Sequence, residues 1–348
     1  MFVMRLAANL VYHSAGPLAR EAESLGYDLV LAPEGYRNDA ATVLGLVAGQ
    51  TTRIGLASGV MQIPARPPGA TALTAATLDA LSNGRFRLGL GVSNPHVSDG
   101  WYGVRFDKPL SRTREYVEVV RAALSGGPVR YQGAHVSLPA WGNDDAPLQL
   151  FTERPGGDLP IYLGAVGPGS LRLAGEIADG WVSGFTTVEA VGDALTEIQA
   201  GRERAGKPLA GFEVIPFVGV AVGEPGQDLA EVADELRAHY AFLLGIGAAE
   251  DNFYCRFAAR LGYAEQIATF RERLAAGDRR GAVAAIPTEF IDRTALLGPV
   301  ERVAEGMTAF AKAGVTTLSV LVSANDTSLE GRVRVLRHAA RAAELAGI

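Results

Sequence analysis

Short apolar runs bounded by Gly or Pro alternate along this chain with stretches whose apolar positions recur at helical spacing. Runs of that kind suit parallel strands buried on both faces. Eight are found: Met4–Leu10, Tyr27–Ala32, Arg53–Val60, Phe86–Val92, Pro160–Ala165, Gly180–Gly184, Phe212–Val222 and Thr316–Val322. Helical patterns follow them at Leu18–Leu25, Ala40–Gly49, Ala70–Leu81, Arg112–Leu124, Ser170–Ala178, Val188–Ala205 and Leu329–Ala346. The stretch from Arg53 to Ser93 shows the plan most clearly, as two strand-like runs joined by a proline-bracketed loop and a helix. In that helix Leu73, Ala76, Ala80 and Leu81 fall close to one stripe, which predicts the face laid on the strands.

Eight strand–helix alternations predict an α/β fold of the (β/α)8 TIM-barrel type; an open doubly wound sheet is second, because its usual strand count is lower. A chain of 348 residues is compatible with one such domain. Two segments exceed ordinary loop lengths, at about 126–159 and 224–315. The first carries Trp141-Gly142-Asn143-Asp144-Asp145, and the second at least three helical patterns, around Leu229–Leu244, Phe253–Ala276 and Val300–Ala313. Neither has the charge runs or low complexity of a linker, so residues 1–348 read as one barrel domain with two insertions.

Composition narrows the function classes. Apolar residues make up 48% of the chain, enough for one large core, and the 42 glycines fit many tight turns. The formal charge of −6 argues against a nucleic-acid partner. Cys255 is the single cysteine, which excludes a disulfide framework and a cysteine metal site. No apolar stretch reaches membrane-spanning length, and the first strand begins too near Met1 for a signal peptide. A soluble, cytoplasmic protein is expected.

Barrel active sites lie at the carboxyl ends of the strands. That rule nominates Tyr12 and His13 after the first strand, Glu34 after the second, and Gly59 to Arg66 after the third. It adds Ser93, Asn94 and His96 after the fourth, Gly164 to Ser170 after the fifth and Ser183 after the sixth. Trp101 and Tyr102 follow closely. The plain alternatives are loop histidines without a role and, for Glu34, a structural ion-pair partner. Val166-Gly167-Pro168-Gly169-Ser170 joins a strand to a helix start, where free N–H groups could hold a phosphate. Gly89-x-Gly91-x-x-Asn94 lacks the third glycine of a dinucleotide fingerprint. No metal-ligand spacing and no Gly-x-Ser-x-Gly elbow occurs.

Longer words say more. Met61-Gln62-Ile63-Pro64-Ala65-Arg66, Thr74-Ala75-Ala76-Thr77-Leu78-Asp79 and Leu81-Ser82-Asn83-Gly84-Arg85-Phe86 resemble the bacterial luciferase-like superfamily. Gly89-Leu90-Gly91-Val92-Ser93, Gly100-Trp101-Tyr102-Gly103 and Lys108 to Tyr116 resemble its branch related to methylenetetrahydromethanopterin reductase. Most of that branch uses the deazaflavin coenzyme F420. Pro160 to Ala165 and Ala174 to Trp181 extend the match. The resemblance implies a barrel with the tricyclic ring at the carboxyl mouth. It also implies a bulge after strand three, often with a non-prolyl cis peptide, which maps onto Gly59-Val60. Val166 and Gly167 match a turn that contacts the coenzyme, and Glu34 takes the place of an acidic residue near the ring. Arg66 is the candidate partner for the phosphate and acidic tail. Ser93, Asn94, Ala165 and Gly180 complete the expected coenzyme-binding set. The family's oligomers imply a homodimer built partly on the second and third helices.

Departures qualify the match. Glu34-Gly35 stands where several relatives have Asp-His. Asn94 replaces the glutamate proton donor of the sugar-phosphate dehydrogenases, and Thr186-Thr187 replaces their lysine, so sugar phosphate is not the expected substrate. His96 sits where near relatives usually have Gln. The leading expectation is an F420-dependent oxidoreductase acting on a small organic substrate. An FMN-dependent monooxygenase fed by a separate reductase is the first alternative, and a non-catalytic flavin-binding relative the second. For the proton that accompanies hydride transfer the candidates rank His96, Glu34, then His13.

Overall fold

The computed structural model describes residues 4–35, 38–140, 147–322 and 328–348. Eight parallel strands fall on the eight apolar runs: β1 (Arg5–Asn9), β2 (Leu29–Ala32), β3 (Gly55–Ser58), β4 (Phe86–Gly91), β5 (Ile161–Gly164), β6 (Gly180–Gly184), β7 (Glu213–Val222) and β8 (Thr317–Leu321). The helices between and after them are α1 (Ala15–Ser24), α2 (Ala40–Ala48), α3 (Pro68–Leu81), α4 (Pro109–Leu124), α5 (Pro168–Ile177), α6 (Val188–Arg204), α7 (Val300–Lys312) and α8 (Leu329–Ala346). This alternation is the (β/α)8 barrel fold. Its residues group into two compact units: Met1–Tyr27, Gly184–Gly192 and Pro216–Ile348 form one, and Asp28–Ser183 with Asp193–Ile215 form the other.

In the second unit the strands pair in parallel in the order β2, β3, β4, β5, β6. The helix α3 corrects the predicted stripe. It buries Thr71, Ala72, Ala75, Ala76, Leu78 and Asp79, whereas Leu73 and Leu81 are 51% and 62% exposed. Small side chains let the helix lie close to its neighbours, and the two leucines are turned away. At its end Asn83 and Gly84 adopt φ of +56° and +79°, reversing the chain. Arg85 then donates to the carbonyls of Ala48, Thr51, Ile54 and Ser82, closing the carboxyl end of α2. The word Ser82-Asn83-Gly84-Arg85 is thus structural, at the amino end of β4.

The first insertion contains a two-stranded hairpin, Tyr131–Gln132 against Ser137–Leu138. Glu115 on α4 anchors its loop, accepting from the N–H groups of Ala134, His135 and Val136 at 2.7–2.9 Å. Arg154 closes the far end through Asp79 at 2.9 Å. The Trp141–Asp145 stretch lies outside the described residues.

In the first unit β1 pairs with β8 from Arg5↔Thr317 to Asn9↔Leu321, and β8 with β7 at Phe217↔Ser319. The second insertion folds as helices Leu229–Leu244, Phe253–Arg260, Ala264–Ala275, Arg279–Ala284 and Thr288–Thr294. The predicted Phe253–Ala276 pattern is therefore two helices, broken at Gly262 with φ of +95°. A short strand missed in the sequence, Ala295–Gly298, pairs in parallel with Gly219–Val222 of β7. Its four residues have no length to show a period. The core here is aromatic: Phe185 packs on Tyr240, Tyr254 and Phe290, and Tyr240 Oη meets Thr294 Oγ1 at 2.6 Å.

Candidate functional site

Strand β3 stops at Ser58, and pairing with β4 resumes at Met61–Gln62, opposite Leu90 and Gly91. Between them the Gly59–Val60 peptide is cis. The bulge sends the Val60 side chain over the neighbouring strands, where three glycines make room for it. A Cβ on Gly91 would stand 2.5 Å from Val60 Cγ2, one on Gly89 3.3 Å from Cγ1, and one on Gly164 3.6 Å from Cγ2. Gly89 is further constrained, since its Cβ would lie 2.0 Å from the Ser58 carbonyl oxygen. The Gly89-x-Gly91 pattern therefore seats a bulge; it does not cradle a dinucleotide.

Glu34, just past β2, ties this bulge down. Its Oε1 accepts from the Gln62 N–H at 2.9 Å and from Arg66 Nη1 at 3.0 Å, while Oε2 accepts from Arg66 Nη2 at 2.9 Å. The Ala40 N–H, opening α2, adds a longer contact at 3.3 Å. Gln62 Nε2 returns a bond to the Glu34 carbonyl at 3.0 Å. Arg66 also reaches Asp39 at 3.0 Å, and its own carbonyl accepts from Tyr116 Oη at 3.0 Å. Since that phenol spends its proton there, the 2.5 Å contact with Thr71 Oγ1 is donated by the threonine. Burial pushes the Tyr116 phenol up to about 12. Burial also raises Asp39, but the Thr42 hydroxyl and N–H, with the Arg66 charge, outweigh it and hold that carboxyl below its usual range.

Two expectations change here. Arg66 is committed to Glu34 and Asp39, two carboxylates against one guanidinium, so it has no charge to spare for a phosphate. Glu34 accepts from four donors, and those bonds anchor the bulge. The plain alternative, a structural ion-pair partner, describes it.

The carboxyl end of β4 supplies the next residues. Ser93 adopts φ of +69°, an uncommon conformation for a residue with a Cβ and one that clusters at functional sites. Asn94 caps the short helix Pro95–Gly100 by accepting from the Val97 N–H at 3.0 Å. His96, on that helix, is exposed. Tyr102 follows, partly buried, with its phenol raised by burial and by the nearby Glu34 charge, against the opposing Arg66. Gln62 Oε1 and Ser93 Oγ are among the buried side-chain polar atoms that lack a partner among the described residues. Leaving such atoms unsatisfied costs about 1–3 kcal/mol each.

After β5, the Ala165 carbonyl accepts from Trp181 Nε1 at 2.8 Å. Val166 is 45% exposed. The N–H groups of Val166 and Gly167 both donate to Ser170 Oγ at 3.1 Å, so this turn satisfies half of its own donors. Those of Gly169 and Ser170 have no acceptor among the described residues. Gly180 lies at the amino end of β6, where a Cβ would stand 2.7 Å from both Tyr162 Cδ1 and Glu213 Cβ. Its lack of a side chain serves strand packing, and it is removed from the coenzyme set. In the other unit, His13 Nε2 accepts from Arg332 Nη1 at 2.9 Å. That assigns its proton to Nδ1 and makes it a poor acid through Nε2.

Comparison with known proteins adds the family. The model of the luciferase-like monooxygenase family matches residues 2–317. The chain belongs to that family. It is 35% identical, over 91% of its own length and 94% of the relative's, to a Mycobacterium tuberculosis protein provisionally named a coenzyme F420-dependent oxidoreductase. It is 28% identical to the 5,10-methylenetetrahydromethanopterin reductase of Archaeoglobus fulgidus, over 90% of this chain and 91% of that one. The solved coenzyme F420-dependent tetrahydromethanopterin reductase of Methanopyrus kandleri superposes with a TM-score of 0.82 at 24% identity, covering 97% of each chain.

For a member of the luciferase-like family the donor set is suited to a planar heteroaromatic ring. Val60 presents an apolar surface over Gly89, Gly91 and Gly164, and Gln62 Oε1 and Ser93 Oγ, near the ends of the same strands, are buried without a partner among the described residues. The carboxyl-end rule nominated Val60 and Gln62 within the block Gly59 to Arg66, and Ser93 after the fourth strand, without singling Gln62 out. The signal was its position as the last residue of the strand that resumes after the bulge.

Proposed function

We propose that this chain is an F420-dependent oxidoreductase that moves a hydride between the deazaflavin and a small organic substrate. The observation that carries this reading is the 35% identity, spread over 94% of a relative named for that coenzyme. A second relative, matched over 90% of this chain, is named a 5,10-methylenetetrahydromethanopterin reductase.

When bound, the deazaflavin supplies a two-electron hydride carrier. The chain supplies the rest. Val60 presents an apolar face to the ring, held there by the three glycines and by the Glu34–Gln62 bonds. The free N–H groups of Gly169 and Ser170 at the start of α5 offer a place for the coenzyme's phosphate. Among the three candidate acids, His96 alone has both ring nitrogens free of partners among the described residues, and it supplies the proton. No described helix is long and apolar enough to cross a membrane, consistent with a cytoplasmic enzyme. The exposed Leu46, Leu73 and Leu81 on α2 and α3 suit a homodimer interface.

Titrating the purified protein with F420 and with FMN, oxidised and reduced, tests the reading. Micromolar or tighter binding of F420 with none of FMN is expected. Binding of FMN alone would transfer the chain to the flavin monooxygenases of the same fold.

A further inference from the structure

The chain leaves β6 at Gly184 and turns through Phe185, which adopts φ of +68°. That conformation is an outlier for a bulky residue, so the surroundings have to hold it. The second insertion does so. The Phe185 ring packs on Tyr240, Tyr254, Phe257 and Phe290, with centroids 4.6–6.3 Å away. The helix that carries Tyr254, Phe253–Arg260, is pinned at its start by Asn252. That residue caps it by accepting from the Cys255 N–H at 3.0 Å, and its Nδ2 donates to the carbonyls of Leu243 and Ile246 at 2.9 and 2.8 Å. Tyr254, the second residue of the helix, is thereby set against the end of the strand.

Its hydroxyl faces Gly184. A Cβ on that glycine would stand 3.8 Å from Tyr254 Oη and 3.9 Å from Cδ2 of the partly buried Phe217 on β7. Both are ordinary contact distances, so the space in front of Gly184 takes a methyl-sized group between a hydroxyl and a ring edge. No described residue hydrogen-bonds Tyr254 Oη, and burial alone raises its phenol, which keeps the O–H in place through the neutral range.

Barrel active sites lie at the carboxyl ends of the strands, and Gly184 is the carboxyl end of β6. A phenol O–H donates to a carbonyl oxygen. Its own oxygen can accept from the alcohol formed when that carbonyl takes a hydride at carbon and a proton at oxygen. We infer that Tyr254 binds the substrate's oxygen at this strand end and that the substrate is an uncharged carbonyl compound with an apolar body, an inference that rests on the oxidoreductase reading above. A carboxylate or phosphate would need a compensating cation, and Tyr254, Gly184 and Phe217 supply none. Phe217 meets the apolar body, and the missing side chain of Gly184 leaves the room. Tyr254 is thus a specificity-determining residue, contributed by the second insertion.

The test is a ligand-observed NMR titration of the full chain, in the presence of F420, with acetophenone and with α-methylstyrene. The second probe has the shape of the first, with a CH2 in place of the carbonyl oxygen. Wild type should bind acetophenone. Tyr254→Phe should weaken it about tenfold, the size of one lost hydrogen bond, and should bind α-methylstyrene as wild type does. Gly184→Ala should weaken both probes severalfold with an unchanged melting temperature, because its methyl takes their space. That variant keeps the test open should Tyr254→Phe not fold. Benzoate, the charged counterpart, should bind wild type more weakly than acetophenone. Failure of wild type to bind acetophenone, equal loss of both probes in Tyr254→Phe, tighter binding of benzoate, or unchanged affinities in either variant would overturn the assignment. A separate F420 titration of the same samples distinguishes the two readings. A chain that shows these differences without binding F420 loses the coenzyme and keeps the carbonyl subsite, and one that binds F420 without showing them loses only the subsite.

Discussion

Arg66 grips Glu34 through two parallel hydrogen bonds, at 3.0 and 2.9 Å, and the Glu34 side chain is only 3% exposed. Removing one member of such a pair leaves a buried charge uncompensated, which costs roughly 3–5 kcal/mol. Arg66→Ala should therefore lower the melting temperature and weaken coenzyme binding by releasing the bulge. The salt dependence of binding should stay as it is, because the Arg66 guanidinium is held by Glu34 and Asp39. Arg66→Lys should recover only part of the stability, since a lysine cannot make both bonds. A salt slope that falls in Arg66→Ala would return the arginine to the coenzyme's tail.

The Val60 seat gives a graded prediction. Gly91→Ala brings a methyl to 2.5 Å from a Val60 methyl, so the side chain must move off the strand. Overpacking of this kind costs about 1–3 kcal/mol, and ring affinity should fall with it. Gly89→Ala sets the new carbon 2.0 Å from a backbone oxygen that cannot step aside, and should abolish folding or soluble expression. Gly164→Ala, with contacts of 3.6 Å, should be tolerated. Thermal denaturation of the three variants, with a coenzyme titration of those that fold, checks the order.

These contacts show why the fold was legible in the sequence and the site only partly so. Strand runs such as Phe86–Gly91 announce themselves because both faces are buried. The α3 stripe misled because close packing was achieved with alanines, leaving Leu73 outside, and hydrophobic spacing cannot tell a buried leucine from one reserved for another surface. Val60 and Ser93 were reached from the carboxyl-end rule and the family resemblance. Gln62 was covered by the same rule as part of the block Gly59 to Arg66 but not distinguished within it, since its buried oxygen without a partner among the described residues shows only in the coordinates. Arg66 was misjudged for a similar reason: its two carboxylates, Glu34 and Asp39, lie 32 and 27 residues away in sequence.

Glu115 should govern part of the acid stability. Burial pushes its carboxyl up, but the N–H groups of His135, Ala134 and Val136 outweigh that and hold it below the usual range. A depressed folded pKa stabilises the protein above the unfolded pKa, near 4.3, and that stabilisation is lost as pH falls through the folded value. Glu115→Gln should cost about 1–3 kcal/mol at neutral pH and flatten the acid limb of stability below about pH 4. Denaturant midpoints from pH 7 to pH 3 measure it. An unchanged acid limb would show that the hairpin loop is held by other contacts.

The apolar surface of α2 and α3 predicts the oligomeric state. Leu46, Leu73 and Leu81 are 50%, 51% and 62% exposed, a cost that a partner copy would remove. Light scattering at micromolar concentration should report a dimer, and Leu46→Glu with Leu73→Glu should yield a folded monomer. A monomeric wild type, or a dimer that survives both charges, would place the interface elsewhere or nowhere.

The proton that accompanies hydride transfer provides the last test. Delivery of a hydride to a polarised double bond leaves an electron-rich atom, which a positioned acid must quench. Glu34 has its oxygens occupied by Arg66 and by the Gln62 and Ala40 N–H groups. His13 has its Nε2 turned to Arg332. Asn94 can donate a hydrogen bond but holds no proton to release at neutral pH. His96, on the helix that Asn94 caps, is exposed and free at both nitrogens among the described residues. His96→Ala should lower turnover by about a hundredfold, the lower bound for a lost general acid, and should leave F420 affinity within twofold. It should also erase one limb of the pH–rate profile near neutrality. Retention of that limb in His96→Ala would move the acid to another group, and Tyr102→Phe would then be the variant to measure, because that phenol lies within reach of the Glu34 charge.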